Sequence, residues 1–304
     1  MLGEYRIGKI LAPLRGVTIR CFRESFAEVI HESGFTEAIT PFIPALPGLD
    51  PLKDRELLNP RSAISDPLSL RLTPQFIGKD PQALRMCLER IKDAGYDTAD
   101  LNCGCPFPMV RNKGRGSGIL RTPDVLRRML DVGCSTMGDG GFSVKARLGV
   151  TEPDELLKLM PLINDYPLRF LTVHARTARQ MYGDVCDTEN LKKVCAAAKV
   201  PVVLNGDIPY PVPLALLPDS SSQIPDPASL MIGRSFIRYL GTRDDIGGLL
   251  SRYIKSSRSE LSGDRPVLGR MKELISYWKD LPQWRRRWGI IKLCRSVDEL
   301  RAII

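Results

Sequence analysis

The sequence lacks the residue patterns that mark several common classes of protein. Only two histidines occur in 304 residues, and the eight cysteines form no C-x-x-C pair. Because zinc sites need clustered cysteine and histidine ligands, we expect no metal site. The cysteines are scattered and no export signal precedes them, so we expect reduced thiols rather than a disulfide framework.

Long apolar runs and nucleotide-binding loops are also missing. No hydrophobic run is long enough to cross a membrane, and the first residues lack the basic start and apolar core of a signal peptide. We therefore expect a cytoplasmic protein without membrane contact. The sequence has no Walker loop and no G-x-G-x-x-G after its first predicted strand, which argues against a nucleoside triphosphatase and a Rossmann domain.

What the sequence does have is an excess of basic residues. The net charge is +9 and the pI about 9.2. This balance suits a polyanionic partner, but many basic proteins bind none. Charge alone therefore favours nucleic acid only slightly.

Short strand-like runs alternate with helical patterns along most of the chain. Eight such runs lie at residues 7–11, 36–39, 70–77, 98–103, 143–148, 170–174, 202–205 and 230–232. Eight strands with helices between them predict an α/β fold of the (β/α)₈ TIM barrel type over residues 1–240. From residue 243 the apolar residues follow helical spacing instead, which predicts a small helical domain over residues 241–304.

Local signals refine the element boundaries. Pro74 within the third predicted strand indicates an end or a bulge. Asp80 and Thr122 each stand directly before a proline, and we expect both to cap helices. Six prolines between residues 209 and 227 predict a short helix or an exposed loop between strands seven and eight.

Polar and glycine residues stand at the C-terminal ends of several predicted strands. Lys145 and Arg147 end the fifth strand, His174 the sixth, residues 205–207 the seventh and Gly233-Arg234 the eighth. In a barrel these ends meet at one face. Lys145 and Arg147 are two residues apart and share a strand face, which favours the interior. The two glycine-bearing loops and the guanidinium predict a phosphate cradle.

Each of these features alone has a structural explanation. The two basic residues of the fifth strand could be solvent-facing, and His174 could equally be a hydrogen-bonded core residue. A lone Cys105 is more often structural than catalytic. The run Trp284–Trp288 is either an RNA-binding patch or a solvated helix face with two anchoring tryptophans, and we favour the second.

Residues 100–106 carry the most specific pattern. They read D-L-N-C-G-C-P and resemble the catalytic segment D-L-N-x-G-C-P of the tRNA-dihydrouridine synthases. Further motifs of that family follow in the same order: A-P-M-x-G-V-T at residues 12–18 (here with Leu14), K-x-R at 145–147, H-G-R-T at 174–177 (here with Ala175), N-G-[DE]-I at 205–208 and G-R at 233–234. It is the joint occurrence of these motifs that outweighs the structural explanations.

The resemblance implies a molecule of FMN lying across the barrel mouth. Gln75 would hydrogen-bond the ring, Lys145 would stabilise the anionic reduced flavin near N1, and His174 would contact the cofactor or the uracil. The implied cofactor-binding residues are Pro13, Leu14, Arg15, Gln75, Lys145, His174, Asn205, Gly206, Asp207, Gly233 and Arg234.

The implied reaction reduces a uridine in tRNA to 5,6-dihydrouridine, with NADPH as the reductant. Reduced FMN gives hydride to C6, and Cys105 protonates C5 as a general acid. A thiol suits this role because its pKa of about 8.5 leaves it mostly protonated at neutral pH. The implied substrate-binding residues are Asn102, Arg147 and Arg176, and the helical domain would help to hold tRNA.

Details of the match sharpen these expectations. Cys103 before the glycine resembles the bacterial C-type branch, which implies a D-loop uridine, U16. Arg15, Ala175 and Arg115 depart from the family pattern.

We expect a monomer. Two alternatives stay open: an FMN-dependent barrel oxidoreductase acting on a small pyrimidine or enone, and a non-catalytic RNA-binding barrel.

Overall fold

The computed structural model describes residues 8–57, 70–213 and 229–304. Within these ranges ten strands form one parallel sheet. They are β1 (Gly8–Leu11), β2 (Phe35–Ile39), β3 (Ile43–Pro44), β4 (Arg71–Thr73), β5 (Gln75–Ile77), β6 (Ala99–Cys103), β7 (Phe142–Gly149), β8 (Leu171–Thr177), β9 (Val202–Asn205) and β10 (Ser229–Ile232).

The sheet closes into a barrel. β1 pairs with both β10 and β2, and each strand from β5 to β10 pairs with the next. The ring closes because β4 pairs with β2 while β5 pairs with β6, and only Pro74 separates β4 from β5. Proline has no N–H for the ladder, so it splits one barrel strand into two, as predicted. The TIM barrel fold is confirmed.

Helices follow the strands and then form the C-terminal part of the chain. They are α1 (Arg20–Ser25), α2 (Ala27–Glu32), α3 (Pro81–Asp93), α4 (Pro108–Arg111), α5 (Pro123–Met137), α6 (Glu155–Ile163), α7 (Thr188–Ala197), α8 (Arg234–Leu240), α9 (Ile246–Glu260), α10 (Asp264–Ser276), α11 (Pro282–Ile291) and α12 (Val297–Arg301). Among the described residues, two 3₁₀ segments, Pro51–Lys53 and Gly116–Arg121, lie in loops.

Alternating side chains give the barrel two apolar regions. A large cluster packs between the sheet and the surrounding helices, and it includes the outward-facing Leu101 and Cys103 of β6. A small apolar cluster lies in the interior, formed by Ile10, Ala12, Ile39, Phe170, Val203 and Met231. The interior also holds buried polar side chains, among them Gln75, Asp100 and Ser143.

The predicted helix starts have different outcomes. Asp80 caps α3, because its Oδ1 accepts hydrogen bonds from the backbone N–H groups of Gln82 and Ala83. Thr122 precedes α5 but does not cap it, since its hydroxyl donates to the carbonyl of Ile119 instead. Most of the predicted loop at 209–227 lies outside the described residues.

The C-terminal helices pack directly on the barrel. Tyr253 of α9 meets Phe22 and Phe26 edge-on, with ring centroids 5.9 and 5.8 Å apart. The indole N–H groups of Trp278 and Trp284 donate to the carbonyls of Ile237 and Gly241 at 2.6 and 2.8 Å. The helical segment thus shares one apolar core with the barrel, and the boundary at residue 240 stays a prediction.

All eight cysteines are free thiols. Across residues 8–57, 70–213 and 229–304, no helix is both long and apolar enough to cross a membrane. Within the same ranges no group of three or more His, Cys, Asp or Glu side chains could hold a metal ion.

Candidate active site

A cavity of about 250 Å³ opens where the C-terminal ends of the strands converge. All but three of the predicted site residues line it. They are Pro13, Leu14, Asn102, Cys105, Lys145, Arg147, His174, Asn205, Gly206, Asp207, Gly233 and Arg234.

Asn102 organises the turn that carries Cys105. Its Oδ1 accepts hydrogen bonds from the backbone N–H groups of Gly104 and Cys105 at 3.1 and 2.9 Å. Ser117 holds the other side, because its backbone N–H and hydroxyl donate to the Cys105 carbonyl at 3.1 and 2.9 Å. Gly116, at φ +56°, lies so close that a Cβ would come within 2.7 Å of the Cys105 Cβ. The backbone of Cys105 is therefore held from both sides.

The two neighbouring cysteines occupy different environments. Cys105 lines the cavity, whereas Cys103 is fully buried in the apolar cluster outside the barrel. Burial raises the pKa of both thiols; for Cys105 the Phe107 N–H and the nearby Arg147 oppose this in part. Cys105 is thus the protonated thiol that faces the cavity.

Lys145 places an ammonium group at the cavity wall. Its Nζ donates to Asn205 Oδ1 at 2.9 Å, and Asn205 Nδ2 donates to the Met231 carbonyl at 2.8 Å. Burial, with repulsion from Arg147, lowers the pKa of Lys145 to about 7, although the carboxylate of Asp100 opposes this. The site therefore carries a cation whose charge changes near neutral pH.

His174 is neutral and oriented by Arg176. Burial lowers the pKa of His174 well below its usual value, and the nearby cations, Lys145 first, act in the same direction. Its Nε2 lies 3.2 Å from Arg176 Nη1. Because a guanidinium can only donate, Nε2 must accept and the imidazole proton stands on Nδ1.

Arg147 ties two loops of the cavity together. Its Nε donates to the Gly104 carbonyl at 2.9 Å, and its Nη1 donates to the carbonyls of Thr177 and Met181 at 3.0 and 2.7 Å. The guanidinium also lies 5.3 Å from the ring centroid of Tyr182. Its fixed position beside the Cys105 turn follows from these contacts.

Asp207 joins two arginines at the far side of the cavity. Its two carboxylate oxygens accept hydrogen bonds from Arg176 and Arg234. Burial would raise the pKa of Asp207, but these two arginines hold it below its usual value. The preceding Gly206 has φ +115°, and a Cβ there would lie 2.9 Å from the His174 ring and 2.8 Å from the Cys186 sulfur. Only glycine fits this approach.

A family model described as Dihydrouridine synthase (Dus) matches residues 10–236, which is most of the chain. This chain belongs to the dihydrouridine synthase family. The matched residues run from β1 to the start of α8, so the family match covers the barrel and every predicted site residue.

Curated proteins named as tRNA-dihydrouridine synthases are similar to this chain at moderate sequence identity. The tRNA-dihydrouridine synthase B of Vibrio cholerae is 30% identical over 213 residues, covering 69% of this chain and 63% of that protein. The tRNA-dihydrouridine(16) synthase of Shigella flexneri is 28% identical over 207 residues, covering 66% and 64%. The chain thus aligns with less than two thirds of the length of these relatives.

The barrel also resembles solved structures. An old yellow enzyme homologue from Zymomonas mobilis superposes with a TM-score of 0.57 over 77% of this chain and 88% of that chain. At 14% identity this likeness concerns the fold.

Three predicted residues of this synthase-family site lie outside the cavity lining. Arg15 is exposed, with its guanidinium 5.3 Å from the ring centroid of Phe42 at the rim. Gln75 is fully buried, and its amide bonds to Asp100 and Asn102. Arg176 is 1% exposed, and its guanidinium binds the carbonyls of Gly183 and Asp184 and the carboxylate of Asp207. In this arrangement Gln75 and Arg176 support other side chains rather than face the cavity.

Several lining residues escaped the sequence analysis. Phe42 lies between β2 and β3, just past the C-terminal end of β2. Its position after a strand end is the sequence signal that could have indicated it. Phe107 comes directly after the motif at residues 100–106. Tyr182 lies in the loop after β8, between the guanidinium groups of Arg147 and Arg234, each 5.3 Å from its ring centroid. No local sequence pattern marks Tyr182.

Proposed function

We propose that this chain is an FMN-dependent tRNA-dihydrouridine synthase that reduces a uridine in tRNA with NADPH. The observation that carries the proposal is the placement of two groups on one cavity. A buried, protonated thiol at Cys105 and a half-buried ammonium at Lys145 both line it. A proton donor and a cation for an anionic flavin are the two protein groups that the reaction needs.

The residues present fit a flavin mononucleotide. Lys145 offers a cation to the ring, and the neutral His174 offers a donor at Nδ1. Gly206, Gly233 and Arg234 line the same cavity, so backbone N–H groups and a guanidinium would hold the phosphate there. Bound FMN, once reduced, would supply hydride to uracil C6.

Cys105 would hold the proton that C5 of the uracil receives. Because burial raises its pKa, the thiol stays protonated at neutral pH, and the turn built by Asn102 and Ser117 fixes its direction. One hydrogen of the Asn102 amide bonds to Gln75, which leaves the other free for a uracil oxygen. Arg147 would add positive charge beside the same base.

Basic residues outside the cavity support the proposal that the substrate is a polyanion. The segment from Asn102 to Pro123 contains no acidic residue and includes Arg111, Lys113, Arg115 and Arg121. On α11 the side chains of Arg285, Arg286 and Arg287 are exposed, while Trp284 is buried beneath them. These surfaces would bind tRNA phosphates, and the base must leave its stack to enter the cavity.

The test uses purified protein and tRNA from cells that make no dihydrouridine. The protein should be yellow and release FMN on denaturation, and NADPH should drive dihydrouridine formation in the tRNA. Protein that takes up no FMN would refute the flavin assignment. Protein that binds FMN and reduces only small pyrimidines or enones would establish the alternative oxidoreductase.

The same assay identifies the uridine. The curated relatives carry two names, one of which specifies position 16. Nuclease fragments of the product tRNA, weighed by mass spectrometry, would show which D-loop uridine gains two mass units. We propose U16, on the resemblance of Cys103-Gly104-Cys105 to the C-type branch.

A further inference from the structure

A carboxylate lies inside the barrel directly below the cavity, and the chemistry proposed above does not use it. Asp100 is fully buried on β6. Its Oδ1 accepts a hydrogen bond from the Ser143 hydroxyl at 2.7 Å, and its Oδ2 accepts one from Gln75 Nε2 at 2.8 Å. A buried charged group is costly unless it is bonded, so its place in the barrel needs a reason.

Hydrogen bonds lead from this carboxylate to the Cys105 turn. Gln75 Oε1 accepts from Asn102 Nδ2 at 2.7 Å, and Asn102 Oδ1 accepts from the backbone N–H of Cys105 at 2.9 Å. The chain therefore runs Asp100, Gln75, Asn102, Cys105 through three consecutive short contacts. Each amide is used at both ends.

The carboxylate fixes the direction of this chain. A side-chain amide can turn over, because its oxygen and nitrogen ends have the same shape. An ionised carboxylate only accepts, so Gln75 must point its NH₂ group at Asp100 and its oxygen at Asn102. Asn102 must then point its own NH₂ group at Gln75, which leaves its oxygen for the Cys105 turn.

We propose that Asp100 is a positioning residue for Cys105, acting through the side-chain amides of Gln75 and Asn102. The pattern D-L-N makes this linkage possible, because Asp100 and Asn102 lie on the inner face of β6 while Leu101 points outward. The inference rests on the proposed function for its catalytic meaning, but the geometry that it predicts exists without substrate or flavin.

Two substitutions separate the hydrogen bond from the charge. In Asp100→Asn the new side chain can still accept a hydrogen bond from Gln75 through its oxygen, while its NH₂ group donates to Ser143. The Ser143 hydroxyl can then donate to the Ala99 carbonyl, 3.3 Å away. Asp100→Leu removes the acceptor altogether. Gln75→Met removes the amide that links Asp100 to Asn102 and leaves Asp100 in place. This variant tests the inference if Asp100→Leu does not fold.

The readout is alkylation of Cys105 by iodoacetamide in the flavin-free protein. Modified positions are found by fragmenting the peptide that carries both Cys103 and Cys105. A released turn exposes the thiol and relaxes the burial that raises its pKa. Asp100→Leu and Gln75→Met should therefore react at Cys105 about three to ten times faster, the range of one hydrogen bond. Asp100→Asn should stay near the wild-type rate.

Cys103 provides the internal control, since it lies two residues away in the outer apolar cluster. A loosened fold would expose both thiols, whereas a released turn exposes Cys105 alone. Thr172→Val is the matched substitution, because the buried Thr172 hydroxyl has no hydrogen-bond partner among the described residues. It should leave Cys105 unchanged.

Two results would overturn the inference. One is an unchanged Cys105 rate in folded Asp100→Leu and Gln75→Met proteins. The other is equal alkylation of Cys103 and Cys105 in those variants. Neither depends on tRNA reduction, so failure of the proposed function would be seen separately, as wild-type protein that makes no dihydrouridine.

Discussion

Arginines in two regions of the molecule have opposite surroundings. At the barrel mouth Arg147 and Arg176 are 2% and 1% exposed, and each binds several carbonyl oxygens. On α11 Arg285 and Arg286 are exposed, and Arg287 lies over the Trp284 ring at 5.6 Å. The buried guanidinium groups hold loops in place through their hydrogen bonds, while the exposed ones present positive charge to solvent. Burial, rather than residue type, separates the two roles.

This difference predicts two kinds of mutational effect. Changes at the mouth should act on one chemical step and have large effects, because each group there has a fixed position. Changes on α11 should act on affinity, in small increments that depend on salt.

The largest effect is expected for Cys105→Ala. NADPH should still reduce the flavin, since that step needs no thiol, but transfer to uridine should fall about 10²–10⁴-fold, the usual contribution of a general acid. Single-turnover reduction of unmodified tRNA by the pre-reduced protein measures this step alone. It also removes the effect of NADPH binding.

Cys103→Ala is the matched control. Its thiol lies in the outer apolar cluster and lines no part of the cavity. We expect nearly normal turnover and some loss of stability, because a small buried group is removed. An inactive Cys103→Ala protein beside an active Cys105→Ala protein would show that the acid is wrongly assigned.

The same pair of cysteines shows how far the sequence can be taken. Strand and helix rhythm is local, so the barrel and the break at Pro74 could be predicted from periodicity and from the missing N–H. The two thiols straddle a turn at the end of β6, where alternation stops. Which one faces the cavity depends on packing against distant segments, and only the family resemblance indicated Cys105.

Contacts between side chains far apart in sequence could not be predicted. Gln75 meets Asp100 and Asn102 across neighbouring strands, and the parallel register that aligns them is set by the whole barrel. Arg176 carries the same local signal as Arg147, a basic residue at a strand end. The structure nevertheless places Arg176 behind His174, because Asp207 and the loop carbonyls of Gly183 and Asp184 bind it there.

A smaller effect, of about 10²-fold on flavin reduction, is expected for Lys145→Met, because a single preorganised charge is removed. In the wild type, deprotonation of Lys145 above about pH 7 removes the same cation. Reduction by NADPH should therefore slow as the pH rises through that value. The variant should be slow at every pH and lose this step. Stopped-flow absorbance of the flavin measures both, and an unaltered pH profile in Lys145→Met would contradict the assigned role.

The smallest effect on chemistry, and a graded effect on binding, is expected when Arg285, Arg286 and Arg287 are replaced together by alanine. Each arginine that contacts a phosphate should contribute about one unit to the slope of log affinity against log salt, because it releases a counterion. The control replaces three exposed arginines on α3 and α5, Arg85, Arg127 and Arg128, and so removes the same net charge elsewhere.

Filter binding of tRNA over a range of salt concentrations distinguishes the two sets. A lower slope for the α11 variant alone places tRNA on α11. Equal changes in both variants would mean that only the overall field matters, and no change in either would leave α11 a solvated face anchored by Trp284. Turnover at saturating tRNA should stay normal in all cases, since the mouth is intact. A loss of turnover at saturating tRNA would contradict the distinction between buried groups at the mouth, which act on chemistry, and exposed charges on α11, which act on affinity.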